Sequence, residues 1–295
     1  MNLHAVDQTA ATAAQIRRTV LEQSFRAGVG HIGSALSIVD LVAAVVHAFA
    51  TCVTDEDRRD RFVLSKGHAS LAWYAALEAA GVLTREVLDS FCGDGSTLGV
   101  HPEPHTPGVD FGSGSLGMGL SFAVGTALAS KLRGENSRTA VIMSDAECNE
   151  GIVWESAAFA AQHQLGGLVV LIDDNKQQAL GATSGILDQS RLDERWRAFG
   201  WDVRTCDGHD VSVLVNHLRA EPTAQPRVLI AQTIFGFGVS YMERELPWHY
   251  RPMNRDQFDI AMNDVAQIDT AQIDTAQIDT AQTDTAQTDN ERDAR

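Results

Sequence analysis

The sequence predicts an α/β fold with a doubly wound, mainly parallel sheet flanked by helices, and three observations carry that prediction. Two apolar runs, Thr139–Met143 and Leu168–Ile172, each end in acid or amide residues. The segment between them has helical spacing, so the whole reads as a strand–helix–strand unit. Strand and helix then keep alternating: helix near 191–199, strand at 201–205, helix at 211–219, strand at 227–233. Such alternation argues for a parallel sheet. Asp145 and Asn175 then fall at the carboxyl ends of neighbouring strands, where open α/β sheets place their ligands.

Upstream, Ala10 to Ala27 is apolar at helical spacing and stops at Gly28-Val29-Gly30. Ser37–Ala50 reads as a second helix and Ala69–Ala80 as a third. Residues Phe91 to Gly119, rich in Gly, Pro, Ser and His, have little periodicity and read as a long functional loop. Helix returns over Gly119–Lys131. Asp207-Gly208-His209-Asp210 reads as a strand-to-helix turn with an N-cap. From Val265 the pentapeptide Ala-Gln-Ile-Asp-Thr repeats, a period that matches neither helix nor strand. The expected division is therefore a domain over 1–264 and a disordered acidic tail over 265–295.

With 295 residues the chain is long enough for a well-buried core, and a net charge of −16 argues against nucleic acid or an anionic membrane as its main partner. No run is long enough to span a bilayer, and the N-terminus lacks a signal-peptide pattern. Cys52, Cys92, Cys148 and Cys206 suggest neither a disulfide framework nor a zinc knuckle. The expected compartment is the cytoplasm.

Asp145, the Asn175 amide oxygen and a nearby backbone carbonyl make a hard, oxygen-only partial shell. It suits a small divalent cation if a phosphorylated ligand supplies the remaining oxygens. His31 lies between glycines in Gly30-His31-Ile32-Gly33, and His68 in Ser65-Lys66-Gly67-His68 stands just before a helix. In His101-Pro102-Glu103-Pro104-His105 the alternate residues share one side of an extended chain, which opens a rival reading as a zinc hydrolase. Gly112-Ser-Gly114-Ser-Leu-Gly117 satisfies the dinucleotide glycine pattern, but no buried strand precedes it.

Asp145 with Asn175, thirty positions on, resembles the thiamine-diphosphate motif, in which Gly-Asp-Gly is followed by Asn at about that spacing. Glu150-Gly-Ile-Val-Trp-Glu-Ser-Ala and Asp174-Asn-Lys-Gln-Gln-Ala-Leu-Gly resemble transketolase, in particular the N-terminal subunit of split transketolases. The likeness extends from about Arg18 to His249.

It implies the diphosphate-binding domain of a thiamine-diphosphate fold, with Mg2+ or Ca2+ held by Asp145, Asn175 and the Gln177 carbonyl. The cofactor would be bound by His68, Gly114, Leu116, Asp145, Ala146, Glu150, Asn175 and His249. His31, His101, His249 and Glu150 would serve catalysis, with Glu155 further along a chain of acidic groups between two active sites. The reaction implied is transfer of a two-carbon ketol unit from a ketose or ketose phosphate to an aldehyde. The glutamate that activates the cofactor, and the arginines that hold a sugar phosphate, lie in the family's pyrimidine-binding domain. A separate C-terminal subunit carrying that domain is therefore expected, in an α2β2 assembly.

Departures from the family pattern are Ser144 and Ala146 for glycines, Ile32 for proline, Met118 for glutamine, and Phe235 and Phe237 where basic residues are common. They leave room for a divergent substrate. They also keep open transfer to a lipoyl or carrier-protein thiol, beside the reading of a non-catalytic partner-binding subunit.

Overall fold

The computed structural model describes residues 4–49, 52 and 60–270. Helices α1 (His4–Ala27), α2 (Ile32–Ser37) and α3 (Val39–Ala48) precede strand β1 (Arg61–Leu64). Helices α4 (Ser70–Ala79) and α5 (Arg85–Leu88) lead into a long irregular connection and then α6 (Met118–Arg133). The unit β2 (Thr139–Ser144), α7 (Gly151–Gln162), β3 (Leu168–Asp174) follows, as the sequence predicts. A small hairpin, β4 (Gln177–Gln178) with β5 (Gly181–Ala182), precedes α8 (Leu192–Ala198), β6 (Asp202–Asp207), α9 (Val211–Arg219) and β7 (Arg227–Gln232). A last helix, α10, runs over 255–270.

Five strands form one parallel sheet in the order β1-β2-β3-β7-β6. Side chains alternate between its faces. Ala140, Ile142, Val169, Leu171, Leu229 and Ala231 point into a core shared with α1, α3, α4, α9 and α10. Their neighbours Val141, Met143, Val170, Ile172, Val228 and Ile230 enter a second core under α6, α7 and α8. Both faces are covered, which is why these strands read as unbroken apolar runs.

Local chemistry sets several boundaries. Gly28 takes φ +64 and ends α1, its N–H bonding the Ser24 carbonyl at 3.0 Å. Asp210 caps α9 by accepting from the Val213 N–H, the N-cap expected there. The helix expected over 37–50 starts earlier, at Ile32, and breaks at Ile38; position 50 lies outside the described residues. Strand β1 carries no sequence signal, because four residues between charged neighbours are too short to show a period.

The expected domain edge at 264 falls inside α10, where Val265 and Asp269 are fully buried. Tertiary contact supplies the helix that the five-residue period could not announce. The remainder of the expected tail, 271–295, lies outside the described residues.

Candidate active site

The carboxyl ends of β1, β2, β3 and β7 meet at one edge of the sheet. Ser144 pairs with Asp173 in the β2–β3 register, which sets Asp145 beside the Asp173-Asp174-Asn175 corner. Asp145 is fully buried; its Oδ1 accepts from the Ala146 N–H at 2.8 Å and its Oδ2 from the Lys176 N–H at 3.1 Å. Lys176 delivers that N–H from a left-handed turn with φ 63. Asn175 donates to Asp173 Oδ2 at 2.8 Å and to Ser37 Oγ at 3.1 Å, while its Oδ1 accepts from the Gln177 N–H at 2.9 Å.

Charge balance separates the three aspartates. Asp173 is paired with the buried Lys66 ammonium and accepts from Ser37 and Thr233 hydroxyls. Asp174 is paired with Lys176 at 2.6 Å. Asp145 has only two N–H groups. Burial, and then repulsion from Asp173 and Asp174, pushes its carboxyl up to about 7. A buried carboxylate short of positive charge, beside an amide oxygen, suits a hard cation. Gln177 Oε1, in the same hairpin, is buried without a hydrogen-bond partner. Among the described residues no group of three His, Cys, Asp or Glu is arranged to hold a metal, so the site would need oxygens from a ligand. The rival His101/His105 zinc shell finds no support in that geometry.

Three imidazoles stand next to one another. Ring centroids of His31 and His68 are 5.4 Å apart, His31 and His249 5.0 Å, and His68 and His249 5.2 Å. His31 sits at φ 63 before α2, and its N–H donates to the His249 carbonyl at 3.1 Å. Gly30 is needed for that approach, since a Cβ there would lie 2.5 Å from the Tyr250 carbonyl oxygen. Burial is the first cause lowering all three rings, followed by His101 for His31, by Lys66 and then the other histidines for His68, and by His31 and Lys66 for His249; His249 falls to about 4 and His68 well below the ordinary value. Crowding the rings away from water makes them neutral at pH 7.

His101, exposed, joins this group. A Cβ at Gly67 would come 3.1 Å from its ring and one at Gly114 3.7 Å, so both glycines make room for it. His105 is exposed on the same loop. Ala146 is half-buried and opens a 3-10 turn, Ala146–Asn149, with ordinary backbone. Alanine in place of glycine is therefore unstrained there. Leu116 is 42 % exposed; Glu150 and Glu155 are exposed on the α7 side, and Glu150 touches the glycine loop through its Cβ near Gly117.

Glu147 was missed in the sequence. It is fully buried, and both its oxygens are occupied: Oε1 accepts from Ser65 Oγ and from the Gly117 N–H at 2.9 Å, Oε2 from the Ser144 N–H at 2.8 Å and Ser144 Oγ at 3.3 Å. One carboxylate thus ties the ends of β1 and β2 to the glycine loop before α6. Lys66, Ser37 and Thr233, which organise Asp173, were also unread. Nothing local distinguishes any of these from ordinary polar residues.

The aromatic departures turn inward. Phe235 is buried against Gly33, where a Cβ would lie 2.3 Å from its ring, and lies parallel to His249 at 6.1 Å. Phe237 stacks on His209 at 3.5 Å.

Residues 8–266 match the family model described as transketolase, thiamine diphosphate binding domain. The chain is 37% identical over 253 residues to an apulose-4-phosphate transketolase subunit of Phocaeicola vulgatus, covering 84% of this chain and 90% of that protein. It is 37% identical over 255 residues to a 6-deoxy-6-sulfo-D-fructose transketolase subunit of a Clostridium species, covering 84% and 92%. Human transketolase is 33% identical over 260 residues, 86% of this chain but 41% of that one. The Pichia stipitis transketolase structure superposes with TM-score 0.80 at 26% identity, over 94% of this chain and 45% of that chain. With the family model spanning most of its length, and relatives of its own size matching nearly end to end, the chain belongs to the transketolase family as its thiamine-diphosphate-binding part.

Proposed function

We propose that this chain is the cofactor-binding subunit of a two-component transketolase, moving a two-carbon ketol unit from a ketose or ketose phosphate to an aldehyde. The observation that carries the reading is Asp145: a buried carboxylate without a counter-ion, beside Asn175, at the sheet edge where neutral histidines converge. Asp145, Asn175 and the Gln177 carbonyl would hold Mg2+ or Ca2+, which would anchor the diphosphate. When bound, thiamine diphosphate supplies the carbanion chemistry that breaks and remakes the C–C bond. His68 and His249 would face the diphosphate, and Gly114, Leu116 and Ala146 would line the cofactor.

His31, His101 and His249 surround the donor. The neutral rings of His31 and His249 would bind its hydroxyls, donating through one nitrogen and accepting through the other. His31 Nδ1 has no hydrogen-bond partner among the described residues. Glu150 lies toward the subunit interface. Relatives of matching length that are themselves named as transketolase subunits support a partner, here a C-terminal subunit with the pyrimidine-binding domain in an α2β2 assembly. Among the described residues no helix is long and apolar enough to cross a membrane. We place the enzyme in the cytoplasm. Phe235 packs against Gly33 and Phe237 stacks on His209, which leaves Ser144 and Ala146 as the departures behind the carrier-thiol alternative.

Ketol transfer measured with the chain alone and with its partner subunit tests this. Activity is expected only with the partner, and full activity without it overturns the two-component reading. His101→Ala is expected to lower kcat/KM for the donor about 100-fold, the scale of one positioned polar group, with thiamine-diphosphate affinity unchanged. Loss of cofactor affinity instead would contradict the role given to His101.

A further inference from the structure

The turn after β7 contains Gly236 at φ +75 and Gly238 at φ +89. Two left-handed glycines give this segment much backbone freedom to lose on folding, so contacts outside it must fix it. One side is set by the Gly236 N–H, which donates to the Gly33 carbonyl at 2.9 Å. The other side is held by a buried polar chain. The Ile234 N–H donates to His209 Nε2 at 2.9 Å, so the ring proton sits on Nδ1, which donates to Asp40 Oδ2 at 2.8 Å. Asp40 Oδ1 accepts from Arg17 at 2.7 Å, and the other terminal nitrogen of Arg17 is paired with Asp269.

Asp269 belongs to the first pentapeptide repeat, Ala266–Thr270. The side chains of Arg17, Asp40 and Asp269 are all fully buried. The repeat also supplies apolar cover: a Cβ at Gly238 would meet Ile268 Cδ1 at 3.6 Å and Arg17 Cδ at 3.5 Å. The guanidinium carbon of Arg17 stands 5.5 Å above the Phe237 ring. A guanidinium buried between two carboxylates adds little net stability over apolar packing, but removing one partner leaves an uncompensated buried charge.

We propose that Asp269 of the first repeat is a positioning residue, acting through Arg17, Asp40 and His209 to hold the 234–238 turn that backs His249. Phe235, from that turn, lies against both Gly33 and the His249 ring. The repeat is therefore a clamp on the histidine side of the site. The kinetic part rests on the functional reading above; the structural part does not.

Hydrogen exchange and cofactor affinity test it on the full chain with its partner. Asp269→Ala is expected to speed exchange at Ile234 and Gly236 by at least about tenfold, with β2 and β3 unchanged, and to weaken thiamine diphosphate several-fold in the presence of Mg2+. Alanine is the better helix former, so loosening cannot come from α10 propensity. Truncation after Thr270, which keeps Asp269, is expected to change neither. If the variant does not fold, exchange of the wild type in mild denaturant decides: α10 and the 234–238 turn should open together, before β2 and β3. Independent opening, unchanged exchange in the variant, or an equal rise through the whole sheet overturns the clamp. A wild type that binds no thiamine diphosphate overturns the functional reading instead, and the exchange result still stands by itself.

Discussion

Asp145→Asn is expected to give a protein more stable than wild type at pH 8, less stable at pH 4, and unable to bind the cofactor. The carboxyl of Asp145 is raised from its ordinary value near 4 to about 7 by burial and by the neighbouring Asp173 and Asp174. A raised carboxyl favours the folded state while neutral. That contribution is fully present below about pH 4 and is lost as pH rises through about 7, a loss of about 4 kcal/mol for a shift of this size. Asparagine cannot ionise and escapes the loss. It has one acceptor oxygen, however, so its NH2 must face either the Ala146 or the Lys176 N–H, at a cost of about 1–3 kcal/mol.

The stability curves of the two proteins should therefore cross between pH 4 and 7. At pH 8 the cofactor-free variant should melt several degrees higher, at about 2–4 °C per kcal/mol. Thiamine diphosphate with Mg2+ should raise the wild-type melting temperature and leave that of the variant unchanged. Ketol transfer should fall more than about 100-fold, beyond what losing an outer-shell partner of a metal costs. Parallel pH curves, or a variant still stabilised by cofactor, would show that Asp145 is not the cation's carboxylate.

Glu147→Ala carries the second large effect, on stability. Burial pushes this carboxyl up, while the Ser65 hydroxyl and the Gly117 and Ser144 N–H groups pull it back. Removing it strands two buried N–H groups. The serine hydroxyls can rotate, and Ser144 Oγ already accepts from the Glu147 N–H at 3.2 Å. The expected cost is about 3–5 kcal/mol, a large share of a typical domain's stability. Thermal unfolding should show a fall of about 10 °C, with poor soluble yield. Since Glu147 ties Gly117 to the ends of β1 and β2, surviving protein should also bind thiamine diphosphate more weakly. A melting temperature within 2 °C of wild type would mean that the stranded groups find other partners.

Strands β2, β3 and β7 are covered on both faces, and their continuous apolar runs announced them; β1 and α10 were not announced. The four residues of β1 are too few to show a pattern. The last helix overlaps a five-residue repeat whose period hides the face that docks. Asp145 and Asn175 were legible because each lies within three residues of the end of an apolar run, a position that topology turns into a ligand edge. Glu147 and Glu150 look alike in the chain. One 3-10 turn rotates the first into the core and leaves the second in solvent.

The fold class, the oxygen-rich strand ends and the family are local or pattern properties, and the sequence by itself determined them. What tertiary structure alone decided is the electrostatic state of the site. Lys66 neutralises Asp173 and Lys176 neutralises Asp174, leaving Asp145 short of a cation. Histidines 31, 68 and 249, far apart in the chain, become neutral because burial and neighbouring positive groups disfavour their charged forms. Desolvation and charge repulsion depend on which groups meet, and that is settled only when the sheet brings distant segments to one edge.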